Sequence, residues 1–391
     1  MHPAHTYMSP EQVEEFGREL DAMREEVLAS RGERDRRYIL RLIGTQRRIG
    51  VAGRALIFAS ILLLPVWGHA LAGPWAFGLT LAAGVLALAL AKILENMEIA
   101  HNVLHAQWDW MKDPAIQSNT WEWNHGCPSD QWMHSHNVVH HTWTNVIGRD
   151  RDIGYGMLRV TREQRWHPFY LLQPLNTVLM AVFFEWFIAL HDLEINRLLS
   201  GKKRWSEARP QWRAIRRKVG LQSLKDALLW PLLGTALAAP FALNGLGPSL
   251  LSVFLVVLAA NIGANILRNI WTFMIIFCGH FPADVHHFSR ASVEGETRAQ
   301  WYVRQLLGSC NIRGGQLFHV LSGHLSHQIE HHLFPDLPSN RYPELAPRVH
   351  ALAVRYGLPY NSAPLGRQFG TTLLKLLRFS FPGPSRKAAP A

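Results

Sequence analysis

Residues 75–94, WAFGLTLAAGVLALALAKIL, followed closely by His101-Asn102-Val103-Leu104-His105, decide how this chain is read. The first part is an apolar run of the length that crosses a bilayer, about 20 residues. The second sets two histidines four apart, so on a helix they share a face one turn apart. Imidazole is the commonest protein metal ligand and suits iron, zinc and copper. Two further clusters repeat the theme: His136-Asn137-Val138-Val139-His140-His141 and His327-Gln328-Ile329-Glu330-His331-His332. On a helix of ~3.6 residues per turn, neighbours such as His140 and His141 point roughly 100° apart. Such neighbours serve two metal ions better than one, so the clusters predict a dinuclear centre.

Working outward, four windows read as spans: Ala55–Gly73, Trp75–Leu94, Leu224–Leu243 and Leu246–Cys278. The 391 residues carry a net charge of +11, unevenly placed. Arginines crowd Arg31–Arg48, and Lys202–Arg204 with Arg213–Lys218 precede the third span. The connections Ala72–Trp75 and Asn244–Ser249 are uncharged. By the positive-inside rule the N-terminus, middle segment and C-terminal region are expected to be cytoplasmic. This basicity suits topology and anionic lipid, or a landing surface for an acidic electron carrier, rather than nucleic acid.

No secretory signal is expected at the start, where Ser9 and Pro10 read as a helix cap and first turn. The three cysteines (Cys127, Cys278, Cys310) show no CxxC spacing, so neither a disulfide framework nor a zinc ribbon is expected. A fifth apolar stretch, Pro168–Leu190, contains Gln173, Asn176 and Glu185, which are costly at a bilayer centre. Assigning it as interfacial or protein-covered leaves every histidine cluster on one side. The expected fold is therefore an all-α integral membrane protein: four transmembrane helices in two hairpins, with a cytoplasmic helical cap holding the histidines. Residues 1–50 form an N-terminal helical segment, 51–350 the membrane domain, and 351–391 a C-terminal segment with a disordered tail from Pro382.

Rival chemistries use fewer of these residues. His327-Gln328-Ile329-Glu330-His331 matches the HxxEH of inverted zinc proteases but leaves the first two clusters unexplained. Bis-histidine haem ligands sit within spans, whereas these lie beyond span ends. A metal transporter would use polar groups at mid-membrane, for which Asn261, Asn265 and Arg268 are the candidates. His69, His125, His167, His191, His319 and His350 read as caps or satisfied polar groups.

The three clusters together resemble the membrane fatty acid desaturases, whose histidine boxes follow HxxxH, Hxx(x)HH and (H/Q)xxHH. His136 to Asn145 followed by Asp150-Arg151-Asp152 is similar to the second-box region, and Gln328-Ile329-Glu330-His331-His332-Leu333-Phe334-Pro335 to the third. The likeness spans roughly residues 50–350 and is nearest to acyl-CoA and front-end types. It implies two non-haem irons that use O₂ and two electrons to introduce a double bond into a long-chain acyl substrate. The implied ligands are His101, His105, His136, His140, His141, His331 and His332, with either His327 or Gln328 as first member of the third box. The family's extra histidine after the last span corresponds to His280, with His286 and His287 ranked behind it. Nothing resembles a fused cytochrome b5 domain. NAD(P)H-derived electrons are then expected through a separate ferredoxin, cytochrome b5 or flavin reductase.

Glu330, Asp150, Asp152, Glu122 and Asn145 are the nearest candidates for orienting the ligands. Trp108, Trp110, Trp121, Trp123, Trp132 and Trp143 either line an acyl passage or form an interfacial belt. Arg149, Arg151, Arg304 and Arg313 are candidates for a phosphate-bearing head group. Trp301–Asn311 is expected to contribute to the pocket, with Asn311 as its polar member. The alternative functions are a diiron hydroxylase or ketolase and a non-enzymatic metal-handling membrane protein. Chain length, double-bond position and acyl carrier are not encoded legibly, with a CoA thioester mildly favoured.

Overall fold

The structure, a computed structural model, describes residues 2–63, 74–245 and 247–383. It is mostly helical. Helix α1 (Pro10–Ala29) starts as the sequence predicts: Ser9 caps the Gln12 amide, the Gln12 side chain reaches back, and Pro10 opens the first turn. The chain breaks at Ser30–Gly32, so most of the arginine-rich run belongs to a second helix, α2 (Glu33–Ile61). Then follow α3 (Pro74–Ile93), α4 (Gln173–Val182), α5 (Phe184–Asp192), α6 (Trp205–Ser223), α7 (Trp230–Leu243) and α8 (Leu250–His280). The third-box region holds α9 (Arg298–Leu307), strand β1 (Asn311–Arg313), α10 (Gln328–Leu333) and α11 (Tyr342–Arg355). Strand β2 (Ser362–Pro364) pairs in parallel with β1, and α12 (Leu365–Phe379) closes the described chain.

Three rods among the described residues are long and apolar enough to cross a membrane: Trp75–Leu104, Trp205–Leu243 and Leu250–His280. The window Ala55–Gly73 begins on α2, but its residues 64–73 lie outside the described residues, as does His69. So do Leu246, at the start of the last window, and the tail from 384. Helices α2 and α3 run antiparallel on a glycine seam. A Cβ on Gly53 would stand 2.8 Å from the Leu88 nitrogen, and one on Gly84 2.9 Å from the Ile57 nitrogen. Only glycine lets the two backbones approach so closely. Helices α7 and α8 also pack antiparallel, with Gly234 against Val257 and Ala238 in one core with Val253.

The fifth apolar stretch bends by 99° between α4 and α5. Its polar residues are covered by protein. Gln173 bonds Arg159 and the Leu376 carbonyl, Asn176 is buried, and Glu185 pairs with Arg268 at 2.6 Å. The polar groups of α8 are likewise paired: Asn261 donates to the Asp226 carbonyl, Asn265 to its carboxylate, and Arg268 to Glu185 and the Asn124 carbonyl. These groups are spent on helix packing, which removes the features a transporter would need.

Candidate metal centre

The histidine boxes sit on or beside irregular backbone. The first rod passes from α3 into a π turn at Leu94–Ala100, closed by a bond from the His101 amide to the Asn96 carbonyl. The second box lies in a π turn at His134–His140, closed from the His141 amide to the His136 carbonyl. The third box is α10, entered through left-handed Gly323 and His324. A Cβ on Gly323 would lie 2.4 Å from the Met97 carbonyl oxygen, so glycine locks the third box against the first. His280 is the last residue of α8.

These elements converge in two groups. Donor atoms of His101, His105, His136 and His331 lie within 4.8 Å of one another, and those of His140, His280 and His332 do likewise. His141 stands between them, its ring 4.7 Å from His105 and stacked at 4.4 Å on His332. The adjacent pair His331–His332 divides between the groups, as neighbours on a helix must. Gln328 brings its amide nitrogen to 3.0 Å from His280 Nε2. His327 falls outside both groups, with its ring 4.5 Å from His319. His286 and His287 are also outside, and His287 stacks on Phe281.

The donor set suits metal. His105 Nε2, His136 Nε2, both ring nitrogens of His141, His280 Nδ1 and Gln328 Oε1 are buried with no hydrogen-bond partner in the protein. Such groups are costly unless something binds them. Burial, reinforced by neighbouring imidazoles, holds His105, His141, His331 and His332 well below the usual histidine range. They are therefore neutral, the form that ligates.

The outward-facing nitrogens are held by a second layer. Both Asp150 oxygens lie 3.1 Å from His140 Nδ1, and Asp150 also takes the Asn145 amide. Asp152 is 3.8 Å from His136 Nδ1 and 3.2 Å from His191 Nε2, so His191 is a satisfied polar group that meets the centre through Asp152. Asn145 donates to the carbonyls of His280, His286 and Gly308. Glu330 orients no imidazole in the groups. It accepts from Asn311 and Tyr360, and burial raises its pKa to about 7. Asn311 thereby fixes α10, also accepting from the Ile329 amide. Glu122 pairs with Lys218 at the surface. Sequence reasoning missed Gln305 and Thr144, 3.0 and 3.2 Å from His332 Nδ1, and Tyr342, 3.4 Å from His331 Nδ1. Gln305 falls in the expected Trp301–Asn311 segment and Thr144 in the second-box stretch, but nothing local marks Tyr342.

A cavity opens beside the groups, lined by His101, His136, His140 and His280 together with Trp123, Trp132, Tyr155, Phe184, Ile188 and Ile276. Of the candidate tryptophans, Trp123 and Trp132 line it. Trp108 is fully buried against Tyr38 elsewhere, and Trp143 carries the Arg149 guanidinium at the surface. Arg304 cannot meet a head group, because it is fully buried on Glu296 and the carbonyls of Thr142 and Thr144.

The comparisons agree with this geometry. The sequence profile of the fatty acid desaturase family matches residues 79–364. The chain is 43% identical over 376 residues to an NADPH-dependent stearoyl-CoA 9-desaturase of Mycobacterium tuberculosis, covering 96% of this chain and 82% of that protein. It is 26% identical over 258 residues to an sn-1 linoleoyl-lipid 6-desaturase of Synechocystis, covering 64% of this chain and 66% of that one. With two largely buried histidine groups beside a cavity that Trp123, Trp132, Phe184 and Ile188 help to line, the chain belongs to the fatty acid desaturase family and is a membrane oxidoreductase that desaturates acyl chains.

Proposed function

We propose that the chain desaturates a long-chain acyl-CoA, stearoyl-CoA foremost, at the ninth carbon, using two irons, O₂ and NADPH-derived electrons from a separate redox protein. The substrate, position and reductant follow the relative of 43% identity. The observation that carries the two-metal assignment is the division of His331 and His332 between two groups of buried donors. His101, His105, His136 and His331 would hold one iron, with His141 standing between this group and the next. His140, His280 and His332 hold the other, with Gln328 rather than His327 beside them. The topology in this proposal is four crossings with the centre, both termini and the cap cytoplasmic. The antiparallel seams of α2 with α3 and α7 with α8 support two hairpins.

The reaction removes two hydrogens from adjacent methylenes, and O₂ takes them with two electrons and two protons to give two waters. Bound iron supplies the oxidising power that side chains lack. The protein's residues position. Asp150 fixes the His140 tautomer, and Gln305 with Thr144 orients His332. Trp132, stacked on His136 at 4.3 Å, with Phe184 and Ile188 shapes an apolar slot that holds the acyl chain and excludes water.

The test is purified protein in nanodiscs with NADPH, a matched reductase and deuterated stearoyl-CoA or stearoyl phosphatidylcholine. The 9-monounsaturated thioester with two irons per chain is expected. A hydroxylated product overturns the reaction type, product only from phospholipid overturns the carrier, and a single iron overturns the dinuclear assignment.

A further inference from the structure

Helix α12 lies beyond the stretch matched by the family, residues 79–364, and the chemistry above makes no use of it. It is strongly two-sided. Gln368, Thr372 and Leu376 face the protein and are buried, whereas Leu374, Leu377 and, just past the helix, Phe381 are 67%, 51% and 56% exposed. Arg367 and Arg378 are exposed at one edge of that apolar arc, where helical geometry places them next to Leu374.

The helix is seated on α4. Gln173 donates to the Leu376 carbonyl at 2.5 Å, and Trp166 to the Ser380 carbonyl at 2.9 Å. Helix α4 itself exposes Leu175 and Val178, at 55% and 59%, so two neighbouring helices turn large apolar side chains outward. Their depth is set by α8. Leu376 shares a core with Phe273, Phe277 and Phe281, and Lys375 donates to the Pro282 carbonyl, just past His280. The 31 residues of α8 extend roughly 46 Å, against about 30 Å of hydrocarbon, so its His280 end reaches the membrane boundary.

We propose that α12 is an in-plane membrane anchor which forms, with α4, one lipid-contacting ridge at the boundary beside the metal centre. The occupant of its apolar face is bilayer lipid. That face adjoins helices packed on membrane-crossing α8, and its flanking arginines reach the phosphate level as in-plane helices require. Anchoring then clamps the α8 end through Lys375 and Leu376.

The three native cysteines are buried, so an introduced thiol reports its own surroundings. Leu374→Cys, Leu377→Cys and Phe381→Cys would each be compared with Arg367→Cys in full-length protein in nanodiscs of phosphatidylcholine and phosphatidylglycerol. Labelling is read by peptide mass, which also reveals unfolding through Cys127, Cys278 or Cys310. The three apolar positions should react with a charged maleimide at least tenfold more slowly than position 367, yet react readily with a lipid-soluble maleimide. Equal reaction with the charged reagent means an aqueous face and overturns the proposal. Protection from both reagents, or protection only in discs holding two chains, means a protein cover and overturns it as well.

Discussion

The backbone N–H of His141 donates to the carbonyl of His136, five residues back, where an α-helix bonds four back. In an unbroken α-helix, five residues would carry the side chain about 140° round the axis. The wider π turn brings the two rings to 4.9 Å instead, with His140 5.1 Å from His136. The same bond recurs before the first box, from His101 to Asn96. Single π turns concentrate at functional sites, and here the reason is specific. One extra residue lets His140 and His141 both reach His136, although His136 and His140 serve different groups.

A deletion tests this. Removing Val138, which is 56% exposed, leaves HxxHH, and an α turn then keeps both members of the histidine pair near His136. Iron content of the deletion variant should stay within about twofold of the parent, while His141→Ala loses iron. Loss of both irons on deletion would show that the π winding does not serve convergence.

The third box makes a sharper distinction. His327→Ala should keep both irons and more than about half the activity, because His327 stands outside both groups, held near a pKa of about 3 by burial and then by His319 and His324. His332→Ala should lower activity by a hundredfold or more, roughly the effect of losing a ligand's supporting contact or greater. Metal analysis beside turnover separates them, and iron loss in His327→Ala would reverse the assignment.

Much of this was legible. The apolar runs located the rods, and the spacing of histidines pointed to adjacent pairs that divide, as His331 and His332 do between two groups. Other features were hidden for physical reasons. A π turn leaves no residue signature beyond the surplus residue in the box itself. Thr144 and Tyr342 reach their histidines through folding, 188 and 11 residues apart in sequence. Arg304 looks like a surface cation until Glu296 and two carbonyls are seen to bury it. The C-terminal segment was assigned no element ahead of its tail, yet its two-sided pattern builds α12.

Gly323 should tolerate no side chain. Its φ is +70°, and an added Cβ meets the Met97 carbonyl. The backbone alone costs roughly 1–3 kcal/mol for a non-glycine residue. Gly323→Ala is expected to lower the thermal midpoint and iron loading together, whereas Gly366→Ala, with open space around it, changes neither. Normal iron in Gly323→Ala would contradict the lock between the first and third boxes.

Asp35 ties the N-terminal helices to the third-box region. Arg341 grips it at 2.6 and 2.8 Å, and the carboxylate is fully buried. Burial raises its pKa, but the bonds from Arg341, Asn340 and the Gly32 amide outweigh that and leave it below the usual value. A depressed carboxylate adds stability above its unfolded pKa, about 3.9, and loses it as pH falls through the folded value. Asp35→Asn leaves Arg341 with only Glu344 at 3.4 Å and the Ser30 carbonyl at 3.1 Å, and should cost about 1–3 kcal/mol. In thermal unfolding, the gap between parent and variant should be constant from pH 8 to about 5 and close only below about 4. A gap that closes near neutrality would assign the effect to another group.

The most direct test is the fatty acid profile of cells expressing the chain with a matched reductase, beside cells expressing His140→Ala. A new 9-monounsaturated acid, absent from the variant, is the result predicted. An unchanged profile from folded, iron-loaded protein, or the same new acid made by the variant, would contradict desaturation at this histidine centre.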